Sequence, residues 1–111
     1  MRNFLILVLL LTGCARHHST NYTVSVGEKF SIEHRSNPST GYRWTVAANG
    51  VCGIDSVLYV QDPAPEGYCG VGGVETHHFT AVHQGIDTLT FVYIRGDGKA
   101  AETRCYTVWV R

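Results

Sequence analysis

The chain has 111 residues, and its nine Lys and Arg balance nine Asp and Glu, so the formal net charge is zero at neutral pH. Without a run of like charges, neither nucleic acid nor an anionic surface is an obvious partner. The length suits one small domain with little core to spare.

The chain begins with the pattern of an export signal. Arg2 precedes an apolar run over residues 4–11, which is too short to span a bilayer but suits the apolar region of a signal peptide. The run ends in Leu-Thr-Gly-Cys at residues 11–14, which resembles a bacterial lipobox. That resemblance implies removal of residues 1–13 and attachment of acyl chains such as palmitate to Cys14. An ordinary signal peptide followed by an incidental Cys is the alternative.

The residues after Cys14 bear on where the protein resides. Ala15 follows the cysteine, and the absence of an acidic residue there favours a lipid anchor in the outer membrane of a Gram-negative cell envelope. We expect residues 14–21 to be a flexible, lipidated tether. Residues 22–111 then form the folded domain.

Alternation of apolar and polar residues dominates the rest of the chain, and no stretch has a convincing apolar stripe at helical period. Turn and loop compositions separate the alternating stretches. About seven short strands with regular turn signals predict an all-β fold, an immunoglobulin-like antiparallel β-sandwich. The predicted strands cover residues 22–26, 29–34, 42–46, 57–60, 78–82, 88–94 and 105–110.

Three unusual connections are expected at one end of this sandwich, because alternate connections emerge at the same end. They are Asn-Pro-Ser-Thr-Gly at residues 37–41, the loop that ends in Gly-Val-Gly-Gly at 70–73, and Arg-Gly-Asp-Gly-Lys-Ala-Ala at 95–101. Loops held by a rigid scaffold are a common way to build a binding site.

The first of these connections is composed of residues that restrict the backbone. Pro38 fixes its own φ and disfavours a helical conformation at Asn37. The Asn37 side chain can accept a hydrogen bond from the backbone two residues on, as in an Asx-turn, and Gly41 can adopt positive φ. Ser39 and Thr40 are then displayed at a tip that is ordered before any partner binds.

With these motifs in order, the chain closely resembles chagasin and its relatives, small immunoglobulin-like inhibitors of papain-family cysteine proteases. The family's first loop is Asn-Pro-Thr-Thr-Gly followed by Tyr or Phe, and here only Ser39 differs. Its second loop carries Gly-x-Gly-Gly, present at residues 70–73. Its third carries Arg-Pro-Trp, of which only Arg95 remains, because Gly96 and Asp97 follow it. The resemblance covers essentially the whole predicted domain.

The resemblance implies a reversible, tight-binding competitive inhibitor. Its first loop would enter the protease cleft beside the catalytic Cys and His, with the second loop along the substrate groove. Arg95 would reach the rim of the protease or would simply be a solvated charge at a strand end. Loss of the Pro-Trp pair removes an aromatic anchor, the kind of residue that often carries interface energy. The implied protease-binding residues are Asn37, Pro38, Ser39, Thr40, Gly41, Tyr42, Gly70, Val71, Gly72, Gly73 and Arg95.

Other function classes are weaker predictions. Neighbouring strand residues point to opposite faces, so His77 and His78 are expected to be surface residues and not ligands of one metal ion. A nucleophilic Cys usually needs an activating site, often at a helix N-terminus, and no helix is evident. We therefore expect a monomer that is not an enzyme, without cofactor, metal or nucleic acid. The alternative is an envelope lipoprotein that binds or inhibits another hydrolase such as lysozyme.

The remaining cysteines leave the disulfide pairing open. With Cys14 lipidated, Cys52, Cys69 and Cys105 allow at most one internal bridge. Cys69 precedes the second loop and Cys105 follows the third, whereas Cys52 is expected at the opposite end. A bridge between Cys69 and Cys105 is therefore the predicted pairing, with three free thiols as the alternative.

Overall fold

The computed structural model describes residues 19–111, and these fold as seven strands. The predicted signal peptide, Cys14 and the first part of the tether lie outside the described residues. Within residues 19–111, no helix is long and apolar enough to cross a bilayer. The strands are β1 (Ser19–Val24), β2 (Lys29–Ser36), β3 (Tyr42–Ala47), β4 (Cys52–Gln61), β5 (Gly73–Ala81), β6 (Gly85–Arg95) and β7 (Ala100–Val110).

The strands form two sheets that pack face to face. One sheet has the order β1-β7-β6-β3 and the other β2-β5-β4. β1 runs parallel to β7, and the other neighbouring strands are antiparallel. The all-β, immunoglobulin-like sandwich predicted from alternation is confirmed.

Aromatic side chains fill the space between the sheets. Phe79 of β5 meets Phe91 of β6 edge to face, with ring centroids 6.1 Å apart and planes at 83°. Both side chains are fully buried. Within each strand, buried residues alternate with more exposed ones, and Phe79 and Phe91 belong to the buried set. The alternation seen in the sequence is therefore the alternation between core and solvent. The core also contains Val24, Ile32, Trp44, Cys52, Ala81, Leu89, Tyr106, Val108 and Val110.

The first strand begins before the boundary predicted at residue 22. Ser19, Thr20 and Asn21 pair with Cys105, Tyr106 and Thr107 of β7, so the last part of the predicted tether belongs to the sheet. Polar residues on an edge strand lack the apolar alternation that would reveal them in the sequence, and long-range pairing with β7 decides their conformation.

β4 is also longer than predicted. It begins at Cys52, which the sequence assigns to a connection, and Cys52 is buried opposite Ala81 of β5. The Cys52 backbone N–H donates to the buried Asp87 carboxylate at 2.9 Å. Asp87 also accepts a hydrogen bond from the Asn49 backbone at 2.7 Å, and so it organises the end of the sandwich opposite the three unusual loops.

Candidate functional site

The three connections of interest meet at one end of the sandwich, as predicted. We call them loop 1 (residues 37–41), loop 2 (residues 62–72) and loop 3 (residues 96–99). The Asn37 side-chain amide in loop 1 donates to the Gly70 carbonyl in loop 2 at 2.9 Å. On the other side of loop 1, the Arg95 side chain that precedes loop 3 lies 3.4 Å from the point that a Cβ on Gly41 would occupy. Loop 1 is therefore flanked by its neighbours.

Loop 1 is a single tight turn closed by its own hydrogen bonds. Asn37 has φ −136° and ψ 88°, and its side chain accepts from the Ser39 N–H at 3.2 Å and the Ser39 hydroxyl at 2.5 Å. Residues Pro38–Thr40 form a short 3-10 turn, which the sequence did not predict, and Gly41 ends it with φ 85°. The predicted Asx-turn and the predicted positive φ at Gly41 are both present.

Loop 1 is also held from beneath by an aromatic side chain of β6. The Tyr93 hydroxyl accepts a hydrogen bond from the Asn37 backbone N–H at 2.8 Å. The Tyr93 ring stacks on Tyr42, with centroids 5.1 Å apart. The role of Tyr93 was not predicted from the sequence. The one signal that could have indicated it is that a Tyr hydroxyl usually has a hydrogen-bond partner when it is buried.

The glycines at residues 70–73 do not share one environment. Gly70 is exposed, whereas Gly73 is buried as the first residue of β5. A Cβ on Gly73 would lie 2.2 Å from the Val60 carbonyl oxygen, so the close approach of the chain to itself requires glycine there. Of the predicted binding residues here, Gly70 is therefore exposed to a partner, whereas Gly73 is required by the fold.

An ion pair braces the base of loop 2. Arg35 of β2 forms a bidentate ion pair with Asp62, and one of its two contacts joins Nη1 to Oδ1 at 3.1 Å. The hydrogen bond from Arg35 holds the pKa of Asp62 below its ordinary value. The Asp62 backbone N–H donates to the Gly72 carbonyl at 3.0 Å, which closes the base of the loop. Loop 2 thus leaves the sheet at a defined place.

Loop 3 is closed largely on itself. The Arg95 N–H donates to the Lys99 carbonyl and the Gly98 N–H to the Arg95 carbonyl, both at 2.9 Å. The Arg95 guanidinium donates to the Asp97 carboxylate from Nη2 at 2.7 Å and from Nε at 3.1 Å. It also lies 5.4 Å from the Tyr42 ring centroid, so Arg95 is engaged within the molecule before any partner arrives.

Buried polar side chains lie below loop 1. The Ser36 hydroxyl donates to Glu75 at 3.3 Å, and His77 Nε2 lies 3.7 Å from the same carboxylate. His34 Nε2 is 2.5 Å from the Tyr106 hydroxyl. Burial lowers the pKa of His34 to about 4, lowers that of His77, and raises that of Glu75.

The expectation that His77 is a surface residue was therefore wrong, because this residue lies on the inner face of β5 and is only 2% exposed. At neutral pH both histidines are neutral groups inside the fold. Among residues 19–111, no group of three or more His, Cys, Asp and Glu side chains is arranged to hold a metal ion.

The predicted bridge between Cys69 and Cys105 was wrong. Cys69 is a free, exposed cysteine in loop 2, and Cys105 is buried halfway along β7, where it pairs with Thr90 of β6. The error arose from placing Cys105 at the loop-bearing end, whereas β7 already begins at Ala100. Cys52 is also free, and burial raises the pKa of its thiol to about 11, so the thiol does not ionise at neutral pH.

Comparison with known proteins identifies the family of this chain. The sequence profile of the "Chagasin family peptidase inhibitor I42" matches residues 23–110. The chain belongs to this family. It is thus a chagasin-family cysteine protease inhibitor and not an enzyme.

Individual relatives resemble this chain over most of their length. Amoebiasin-1 of Entamoeba histolytica is 33% identical over 95 residues, which cover 85% of this chain and 91% of amoebiasin-1. The crystal structure of the cysteine protease inhibitor EhICP2, also from Entamoeba histolytica, superposes with a TM-score of 0.73 at 24% identity, covering 87% of this chain and 90% of EhICP2. PbICP-C, solved in complex with falcipain-2, superposes with a TM-score of 0.55 at 17% identity, over 86% of this chain and 91% of PbICP-C.

Proposed function

We propose that this protein is a reversible, tight-binding competitive inhibitor of papain-family cysteine proteases that inserts loop 1 and Tyr42 into the active-site cleft. Loop 2 and Arg95 flank the inserted turn. The observation that carries this proposal is that loop 1 is already closed in the free protein and is held by Tyr93 beneath it and Gly70 beside it. A turn that is ordered before binding loses less conformational entropy on association, which favours affinity.

The same geometry supports a mode of inhibition in which loop 1 is not cleaved. A substrate of a protease lies extended through the cleft, whereas residues 38–40 form a 3-10 turn that ends at a glycine of positive φ. The hydrogen bonds of Thr40 and Gly41 to the carbonyls of Asn37 and Pro38, both 3.0 Å, would have to break before the turn could extend. The catalytic thiol would therefore meet backbone in an unproductive pose.

Two structures of relatives support a cysteine protease as the partner. EhICP2 is described as a cysteine protease inhibitor, and PbICP-C was solved bound to falcipain-2. The alternative, inhibition of another hydrolase such as lysozyme, leaves the conjunction of loop 1 with the glycines of loop 2 unexplained.

The decisive experiment is a titration of the purified chain, without residues 1–14, against papain and against lysozyme. We expect stoichiometric inhibition of papain that fresh substrate at high concentration relieves, and recovery of intact inhibitor by mass spectrometry. Lysozyme should be unaffected. No inhibition of papain at micromolar inhibitor, or progressive cleavage within loop 1, would contradict the proposal.

We also propose that the protein is anchored to the cell envelope through acyl chains on Cys14, with the outer membrane as its site. Support comes from the apolar run and the Leu-Thr-Gly-Cys sequence at residues 11–14. Cys14→Ser should prevent acylation and release the protein from the membrane fraction, since a single N-terminal lipid anchor would be its link to the bilayer. Mass spectrometry of the wild-type protein should find acyl groups on Cys14, and an unmodified N-terminus would contradict the anchor.

A further inference from the structure

We propose that Tyr68, at the exposed tip of loop 2, is the aromatic anchor of the complex and fills an apolar pocket of the protease beside the cleft that receives loop 1. This inference rests on the proposed function and adds to it a second contact surface and the chemistry of its partner. Tyr68 was not among the residues that the sequence singled out.

The exposure of Tyr68 is the first observation. The residue is 69% exposed, more than any other exposed large apolar residue in the described part of the chain. The others, such as Leu58 of β4 and Trp109 of β7, lie on strands or on other turns. Within residues 19–111, Tyr68 is therefore the one exposed large apolar side chain that loops 1, 2 and 3 present.

The backbone around Tyr68 is the second observation. The Tyr68 N–H donates to the Pro65 carbonyl at 3.2 Å, and Gly67 between them has φ 88°. A positive φ at the third position and a closing hydrogen bond are the features of a type II turn. Tyr68 thus leaves a closed turn rather than an open loop, which reduces the ordering cost of placing its ring in a pocket.

The position of Tyr68 relative to loop 1 is the third observation. Gly70, two residues further on, accepts the 2.9 Å hydrogen bond from the Asn37 side chain. Loop 2 is thereby attached to loop 1 at Gly70. In this proposal, the protease surface that adjoins loop 1 also adjoins loop 2, the loop that carries Tyr68.

Loop 3 offers no apolar contact of its own, so an apolar anchor has to come from another loop. Gly96 and Asp97 provide no apolar surface, and the Arg95 guanidinium is already paired with Asp97. Interfaces of this kind usually depend on a few buried aromatic or arginine side chains. With loop 3 lacking an aromatic residue, the apolar contact falls to loop 2, and the matching partner is a protease with an apolar pocket, not a charged one.

The test compares inhibition constants for papain between wild type, Tyr68→Ala and Tyr68→Phe, with Trp109→Ala as a matched control for loss of an exposed aromatic side chain. We expect Tyr68→Ala to weaken inhibition about tenfold or more, since truncating an anchor residue has effects of this size. Tyr68→Phe and Trp109→Ala should stay within about threefold of wild type. The loss in Tyr68→Ala should be the same at low and high salt, because an apolar contact is not screened.

The outcomes separate this inference from the proposed function. If wild type inhibits papain and Tyr68→Ala inhibits equally well, the anchor is wrong and the proposed function stands. If the Tyr68→Ala loss disappears at high salt, or if Tyr68→Phe is as weak as Tyr68→Ala, the contact is polar and the apolar pocket is wrong. If wild type itself fails to inhibit papain, both proposals fall. Urea unfolding of Tyr68→Ala should match wild type, which shows that any loss arises at the interface.

Discussion

Loop 1 and loop 3 flank the same end of the sandwich, but different contacts determine their shapes. Loop 1 is closed by its own Asx-turn and is also held by Tyr93 beneath it and by Gly70 beside it. Loop 3 is closed almost entirely by hydrogen bonds between Arg95, Asp97, Gly98 and Lys99. Loop 1 is thus part of the packed structure, whereas loop 3 is a local turn at its edge.

This difference determines which substitutions should matter. Changes that alter the support of loop 1 should affect both stability and inhibition, because the turn depends on residues distant in sequence. Substitutions in loop 3 should have effects that stay within that loop.

Gly73→Ala should have the largest effect on stability. The added Cβ would lie 2.2 Å from the Val60 carbonyl oxygen and 2.8 Å from the Gln61 Cα, so backbone must move at the base of loop 2. Gly96→Ala in loop 3 is the matched control, since nothing lies within 4 Å of its Cβ position. Urea unfolding should show a loss of at least about 3 kcal/mol for Gly73→Ala and less than about 0.5 kcal/mol for Gly96→Ala. Equal stability of the two variants would refute the close approach.

Asn37→Ala should have the largest effect on inhibition among loop 1 variants that keep the fold. It removes the hydrogen bond to Gly70 and the acceptor of the Ser39 N–H and hydroxyl. We expect a loss of about 1–2 kcal/mol in stability and about tenfold or more in papain inhibition. Asp97→Ala, which removes the corresponding carboxylate of loop 3, is the comparison. Weaker inhibition by Asp97→Ala than by Asn37→Ala would reverse the roles assigned to the two loops.

Acid should destabilise the fold through the buried histidines near loop 1. The folded pKa of His34 is about 4 against an ordinary 6.5, so the unfolded chain binds the proton first as the pH falls. The stability contributed by neutral His34 is complete above pH 6.5 and is lost as the pH falls towards 4, a change on the order of 3 kcal/mol. His77, whose pKa is also lowered, acts in the same direction.

Glu75 opposes this effect, because its raised pKa means that the folded state takes up its proton more readily than the unfolded state. Glu75→Gln should therefore make the loss of stability between neutral pH and pH 4 steeper than in wild type. Thermal unfolding across that range measures both curves. Stability of Glu75→Gln that is independent of pH over that range would show that the histidines are not held neutral in the core.

Arg95→Ala should have the smallest effect. The Arg95 and Asp97 side chains are 39% and 53% exposed, and exposed ion pairs contribute little to stability. We expect less than about 1 kcal/mol in unfolding and less than about threefold in papain inhibition. A loss of tenfold or more would mean that Arg95 leaves Asp97 and contacts the protease, as the resemblance to the family allowed.

The sequence predicted what local chemistry determines. Alternation identified six of the seven strands and an apolar run identified the other, and Asn37, Pro38 and Gly41 predicted the shape of loop 1, because the cause in each case lies within a few residues. The support of loop 1 by Tyr93, the requirement for glycine at residue 73 and the burial of His77 depend on strands that meet only after folding. The prediction of a bridge between Cys69 and Cys105 was wrong for the same reason, since it depended on the position of Cys105 within β7.

The accessibility of the papain thiol in the complex tests the insertion of loop 1 most directly. If loop 1 covers the catalytic cysteine without reacting with it, the inhibitor should protect that thiol from alkylation by iodoacetamide at a ratio of one to one, and Asn37→Ala should protect it less well at matched concentration. After dissociation, papain should regain full activity and the inhibitor should be intact by mass spectrometry. Alkylation at the uninhibited rate in a saturated complex would contradict the insertion of loop 1.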